Sequence, residues 1–200
     1  MIQFLAGFAT GFVTTIPPGG PIAVLVLSEA TRRQARSALA IGVGASLAMG
    51  VWSALGWLGA DHLVPPTWIV GGRVLAGVLL GLVGAILLLT HPKPAAAPPT
   101  LSQCFAVGAV GMGTNPVLLV NFAAAASGWM AIGCAPGGTL GAEAFGAGVA
   151  IGAALWFAVA VTALSRMSLS DASIHLARRG LGLFALGAGV VALALTAALR

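Results

Sequence analysis

The sequence contains very little charge. Asp, Glu, Lys and Arg make up 6% of its 200 residues, whereas the hydrophobic types make up 59%. A soluble domain has about 25% charged residues, so this chain lacks the polar side chains that would cover a water-exposed globule. Its surroundings are therefore expected to be lipid. At about 20 residues for each span, the chain has room for roughly five to seven membrane helices in one compact domain.

Groups that carry catalysis or bind metals are also scarce. The three histidines, His62, His91 and His175, are scattered over separate loops, and the two cysteines lie near opposite ends of one apolar segment. The sequence contains no Ser/His/Asp set, no Cys-x-x-Cys pair and no phosphate-binding loop. It therefore predicts a protein that is not an enzyme and that has no cofactor and no resident metal.

The positive charges lie between apolar runs. Seven of the nine lie in three loops: Arg32, Arg33, Arg36, Lys93, Arg166, Arg178 and Arg179. This distribution is typical of loops oriented against a membrane, and it forms no basic patch for nucleic acid. The positive-inside rule predicts that these loops are cytoplasmic and that both termini of this multi-pass plasma-membrane protein are outside.

Six apolar segments account for most of the chain. They cover approximately residues 4–27, 38–60, 68–90, 103–131, 142–164 and 181–199. The first is expected to be a retained span, because it lacks the positively charged region that begins a signal peptide. Trp57, Trp68 and Trp129 fall at the predicted outer ends of their segments, as in an interfacial aromatic belt.

A proline-rich linker at residues 92–100 divides the single transporter domain, residues 1–200, into two similar halves. Repeat one covers about 1–91 and repeat two about 101–200, and each opens with a segment interrupted near its middle. Because three spans are an odd number, the second half must enter the membrane from the opposite face. The prediction is an all-α polytopic membrane protein of six transmembrane helices, built as two inverted three-helix repeats with broken helices 1 and 4.

The two interruptions are the candidate site. Proline removes a backbone donor, and the helix after each break restarts at Gly20-Pro21 or Asn115-Pro116, which are typical helix-start pairs. The positive end of a restarted helix attracts anions, so a carboxylate-bearing small molecule such as an amino acid is the expected substrate. The candidate binding residues are Thr14, Thr15, Pro18, Gly19, Gly20, Pro21, Thr114, Asn115, Pro116 and Asn121. The alternative interpretation is that these prolines are ordinary kinks, which are common in membrane helices.

Two further features have competing interpretations. Glu143, at the start of the fifth segment, is a candidate for coupling to an ion or is simply a solvated end of a span. The pairs Gly77/Gly81 and Gly148/Gly152 are four residues apart, a spacing that favours close helix packing and permits a homodimer.

Several of these motifs resemble a known family. Residues 16–25, the arginine-rich loop after them and residues 40–45 resemble the opening of LysE/RhtB-type amino-acid exporters. Thr114-Asn115-Pro116 resembles the family's Asn-Pro motif in the fourth span, and residues 148–152 leading to Trp156 resemble its fifth span. The resemblance covers nearly the whole chain, and it implies export of an amino acid or a related metabolite.

The chain departs from the family at two positions. The lysine that usually follows the Asn-Pro motif is Val117 here, and an acid common late in the second-span motif of some relatives is Met49. Both departures bear on cation coupling and on substrate choice. Other functions remain open at this point: an exporter of another small solute or a metal ion, a thiol-disulfide carrier, or a membrane scaffold without transport activity.

Overall fold

A computed structural model describes the chain at residues 1–16, 21–31, 34–59, 99–115, 117–135, 137–166 and 171–198, with isolated residues between 74 and 89. Its helices are α1 (Ile2–Thr15), α2 (Pro21–Thr31), α3 (Ala35–Gly59), α4 (Leu101–Gly113), α5 (Val117–Ala131), α6 (Gly138–Arg166) and α7 (Asp171–Ala198). The described residues include no strand. The all-α prediction is therefore confirmed for this part of the chain.

Two of these helices are long and apolar enough to cross a membrane by themselves. They are α3 and α6, and the pair α4 and α5 makes a third candidate span that bends by 67°. Helix α1 is apolar but shorter. Most of the predicted third segment, residues 68–90, lies outside the described residues. Two or three candidate spans agree with residence in a membrane.

The interruptions occur where the sequence predicts them. Helix α1 ends at Thr15 and α2 begins at Pro21, whereas α4 ends at Gly113 and α5 begins at Val117. Proline cannot donate to the preceding turn, so each proline-containing stretch ends one helix and permits another to start. Helix α4 begins at a capping box, in which Thr100 and Gln103 satisfy each other's backbone N–H groups.

Helices α3 and α6 form the centre of the bundle. Helix α3 packs against α2, α4, α5 and α6, and α6 also packs against α1 and α2. The two central helices lie close together where Gly50 meets Gly146, since a methyl group at Gly146 would lie 2.7 Å from the Gly50 carbonyl oxygen. Ala45, Phe145 and Val149 are buried in the core at 0% exposure, and Ser53, also at 0%, donates to the carbonyl of Gly50.

Glycines allow α1 to lie directly against α6. A methyl group at Gly7 would collide with the carbonyl of Phe145, and one at Gly148 would collide with the carbonyl of Phe4. Gly152 makes the corresponding contact one turn further along α6. The predicted packing role of Gly148 and Gly152 is confirmed, whereas Gly81 has open space around it.

The contact between α4 and α3 repeats the contact between α1 and α6. A methyl group at Gly108 would collide with the carbonyl of Ile41, and one at Gly44 would collide with the carbonyl of Phe105. A shift of 101 positions carries α1 onto α4, and a shift of 104 positions carries α3 onto α6. Under these shifts both α4–α3 contacts correspond to α1–α6 contacts at the same backbone atoms.

The prediction that Trp57 lies in an interfacial aromatic belt is wrong. Trp57 is 3% exposed, and its ring packs on Phe145 with the centroids 4.5 Å apart. It is therefore a core residue and does not belong to an interfacial belt. Trp68 lies outside the described residues.

Candidate functional site

The break between α4 and α5, named here the α4–α5 bend, is built around Asn115. Its side-chain Oδ1 accepts a hydrogen bond of 3.1 Å from the backbone N–H of Val117, and its carbonyl accepts one of 3.2 Å from Leu118. Asn115 is thus the N-cap of α5, the role predicted for it from the Asn-Pro sequence. Pro116 itself lies outside the described residues.

The same bend leaves two α4 carbonyls without their usual helical donors. Met112 would pair with the N–H of residue 116, but proline has none, and Gly113 would pair with the N–H of Val117, which Asn115 takes. The indole N–H of Trp52 donates to both carbonyl oxygens at 3.2 Å. Met112 also accepts from the backbone N–H of Asn115 at 3.1 Å. A tryptophan of α3 therefore supplies the donor that the interrupted helix lacks.

The first break is bordered by two threonines at the end of α1. Thr15 is buried and its hydroxyl donates to the carbonyl of Gly11 at 2.6 Å, whereas Thr14 is exposed and donates to the carbonyl of Thr10 at 2.7 Å. Both hydroxyls therefore donate within their own helix. Pro18, Gly19 and Gly20 lie outside the described residues, and Pro21 is the first residue of α2.

The two breaks lie beside each other in the bundle. Ile22, the second residue of α2, is buried, and its Cδ1 would lie 2.5 Å from a methyl group at Gly111 in the last turn of α4. The first turn after one break therefore packs on the last turn before the other. The absence of a side chain at Gly111 makes this approach possible.

The remaining candidate residues lie on exposed surfaces. Thr114 is exposed and donates to the carbonyl of Val110 at 2.8 Å. Asn121 lies one turn into α5 and is exposed, and Glu143 is exposed in the second turn of α6. Thr114 therefore belongs to the bend but bonds back to α4, whereas no hydrogen bond described for Asn121 or Glu143 reaches the bend.

Trp52 and Trp156 occupy corresponding positions on the two central helices. The shift of 104 positions that relates α3 to α6 carries one onto the other. Trp156 packs edge-on against Phe12 near the end of α1, with ring centroids 5.6 Å apart. Each tryptophan thus meets the helix that precedes a break. Trp52 was not among the residues selected from the sequence, although its spacing from Trp156 is a signal that could have found it.

A third tryptophan joins the two halves through a hydrogen bond. The indole N–H of Trp129 in α5 donates to the hydroxyl oxygen of Thr10 in α1 at 2.8 Å. Nearby, the Gln3 side chain donates to the carbonyl of Ala135 at 3.0 Å. These bonds attach α1 to the end of α5 and to the loop after it.

The possible metal-ligating and thiol side chains of the described ranges lie apart from the bend. No group of three His, Cys, Asp or Glu side chains comes together there. Cys104 and Cys134 are both buried and are not bonded to each other.

Comparisons of this chain with protein-family models, with curated proteins and with solved structures gave no match.

Proposed function

We propose that the chain is a secondary transporter that exports amino acids or related small metabolites across the plasma membrane. The observation that carries this proposal is the contact between the buried Ile22 and the exposed Gly111, which brings two interrupted helices together in an apolar bundle. Interrupted helices at corresponding positions in two halves are the usual construction of a transporter's substrate site. A scaffold protein has no need for such a pair.

The six-span architecture is part of the proposal. The equivalence of the α1–α6 and α4–α3 glycine contacts supports two structurally related halves. With three spans in each half, the halves have opposite orientations in the membrane. Both termini are then outside, in agreement with the positive charge on the three loops.

The α4–α5 bend offers both polarities of a helix end to a substrate. The end of α4 carries partial negative charge and the start of α5 carries partial positive charge, although the N–H groups of Val117 and Leu118 already donate to Asn115. A zwitterion such as an amino acid has charges that complement both helix ends: its ammonium suits the negative end of α4 and its carboxylate suits the positive end of α5. A metal ion fits less well, because its usual side-chain ligands do not cluster in the described residues.

The test is efflux from cells that have been loaded with amino acids as dipeptides. Cells with the chain are expected to release one or a few amino acids faster than cells without it. Asn115→Ala removes the α5 cap and is expected to abolish the difference, whereas Asn115→Ser keeps a capping oxygen and should retain part of it. Ser165→Ala is the control, because Ser165 is exposed and bonds only within the last turns of α6.

No acceleration for any amino acid, with the protein present in the membrane, would reject this substrate class. The same cells would then be screened with other metabolites and with metal ions. Equal efflux from wild type and Asn115→Ala would instead show that transport does not depend on the Asn115 cap of the α4–α5 bend.

A further inference from the structure

We propose that Trp52 is a positioning residue that holds the α4–α5 bend through its indole N–H. The transport readout of this inference rests on the proposed function, whereas its structural readout does not. The indole N–H of Trp52 takes the place of the helix's own hydrogen-bond donors at the bend.

The backbone carbonyls at the end of α4 need donors from elsewhere in the protein. In lipid, an unpaired carbonyl has no water to bond, so an interrupted helix must find donors elsewhere in the protein. The Asn-Pro pair removes the helical donors of Met112 and Gly113 together, one through proline and the other through the Asn115 cap. Trp52 donates to both oxygens, at 3.2 Å each.

The position of Trp52 allows this bond to fix the angle between α4 and α5. Trp52 lies on α3 two residues after Gly50, where the backbones of α3 and α6 are in close contact. A donor on this central helix ties the end of α4 to the centre of the bundle. The direction in which α5 leaves the bend then depends on a bond made by a third helix.

The chain contains a matched control for this bond. Trp156 occupies the corresponding position on α6, but its described contact is the edge-on ring packing against Phe12. Phenylalanine preserves an aromatic ring at either position and removes the N–H. Trp52→Phe therefore removes a described hydrogen bond, whereas Trp156→Phe keeps the described ring contact.

The first experiment measures hydrogen–deuterium exchange of the purified full chain over residues 111–120. Trp52→Phe is expected to accelerate exchange there by about tenfold, because the bend loses its only donor from α3 among the described contacts. Trp156→Phe is expected to stay within about twofold of wild type at these residues. Unchanged exchange of residues 4–12 and 145–152 reports that the α1–α6 packing remains intact.

A third variant separates the hydrogen bond from the packing of the ring. Replacing the indole of Trp52 by benzothiophene keeps the ring size and substitutes sulfur for the N–H. This variant is expected to exchange like Trp52→Phe at the bend, and its efflux rate is expected to fall by a similar factor.

Wild-type exchange in the benzothiophene variant would overturn the inference, because ring packing alone would then hold the bend. Equal acceleration by Trp52→Phe and Trp156→Phe would overturn it too. If the exchange results are as expected but the wild-type chain exports nothing, the positioning role of Trp52 stands and the proposed function fails.

Discussion

At the scale of single residues, the glycines of α1 and α6 are required for steric reasons. Gly148 lies against the backbone of α1 so closely that even a methyl group would collide with the carbonyl of Phe4. Backbone atoms of a packed helix cannot rotate away as a flexible side chain can. The two helices must therefore separate to accommodate any larger residue, and they then lose packing along their whole contact.

Gly148→Ala is expected to destabilise the protein by about 1–3 kcal/mol, the usual cost of overpacking. The matched control is Gly128→Ala in α5, where no atom lies within 4 Å of the added methyl group. Alanine favours a helix over glycine by about 1 kcal/mol, so this control should be neutral or slightly stabilising. Denaturant unfolding in detergent measures both, and a stable Gly148→Ala variant would contradict the close approach of α1 and α6.

At the scale of elements, a hydrogen bond between the side chains of Trp129 and Thr10 connects α5 to α1. Thr10 is 7% exposed; its hydroxyl donates to the carbonyl of Ala6 and accepts from the indole N–H of Trp129. The corresponding position in α4 is Gly111, which has no hydroxyl and packs against Ile22 instead. The two halves are therefore joined by a polar contact at one place and by an apolar contact at the related place.

Thr10→Val is expected to cost about 1–2 kcal/mol, because it leaves the Trp129 indole N–H without the acceptor described here. Thr14→Val is its control: Thr14 is exposed and donates only to its own helix, so its effect should be below about 0.5 kcal/mol. Unfolding in detergent compares the two variants, with Trp129→Phe as the reciprocal change. Equal stabilities of the two threonine variants would show that the bond contributes nothing to stability.

At the scale of the whole molecule, the central pair of α3 and α6 organises the bundle. Helix α1 packs on α6, and α4 packs on α3, through equivalent glycine contacts, so each contact joins a helix of residues 1–91 to a helix of residues 101–200. An exchange of contacts between halves makes each half depend on the other. Separate halves would expose the glycine faces of both central helices, so neither half is expected to fold by itself.

The proposed topology predicts the side of the membrane on which exposed residues lie. Single cysteines at Gln34 and Ser102 are expected to be cytoplasmic, and one at Thr139 is expected to be outside; all three positions are exposed. A membrane-impermeant maleimide should label the Thr139→Cys variant in intact cells and the other two only after permeabilisation. The background is Cys104→Ala with Cys134→Ala. Labelling of Gln34→Cys in intact cells would show that the orientation is opposite to the predicted one.

Much of the local structure was accessible from the sequence, for physical reasons that lie in neighbouring residues. Apolar composition with 6% charge predicts lipid surroundings, and long apolar runs predict helices such as α3 and α6. The interruptions at residues 16–20 and 114–116 were predicted because proline acts on the turn next to it. The capping role of Asn115 follows from the same local chemistry.

Only the tertiary structure decided which distant groups meet. The sequence indicated that Gly148 and Gly152 lie at a helix interface, but their partner is α1, which lies far away along the chain. It assigned Trp57 to a membrane interface, whereas packing on Phe145 makes it a core residue. The donor that Trp52 supplies to the α4–α5 bend was not foreseen. Helix breaks arise from covalent geometry within a few residues, while the satisfaction of the freed carbonyls depends on which helix the folded bundle brings beside them.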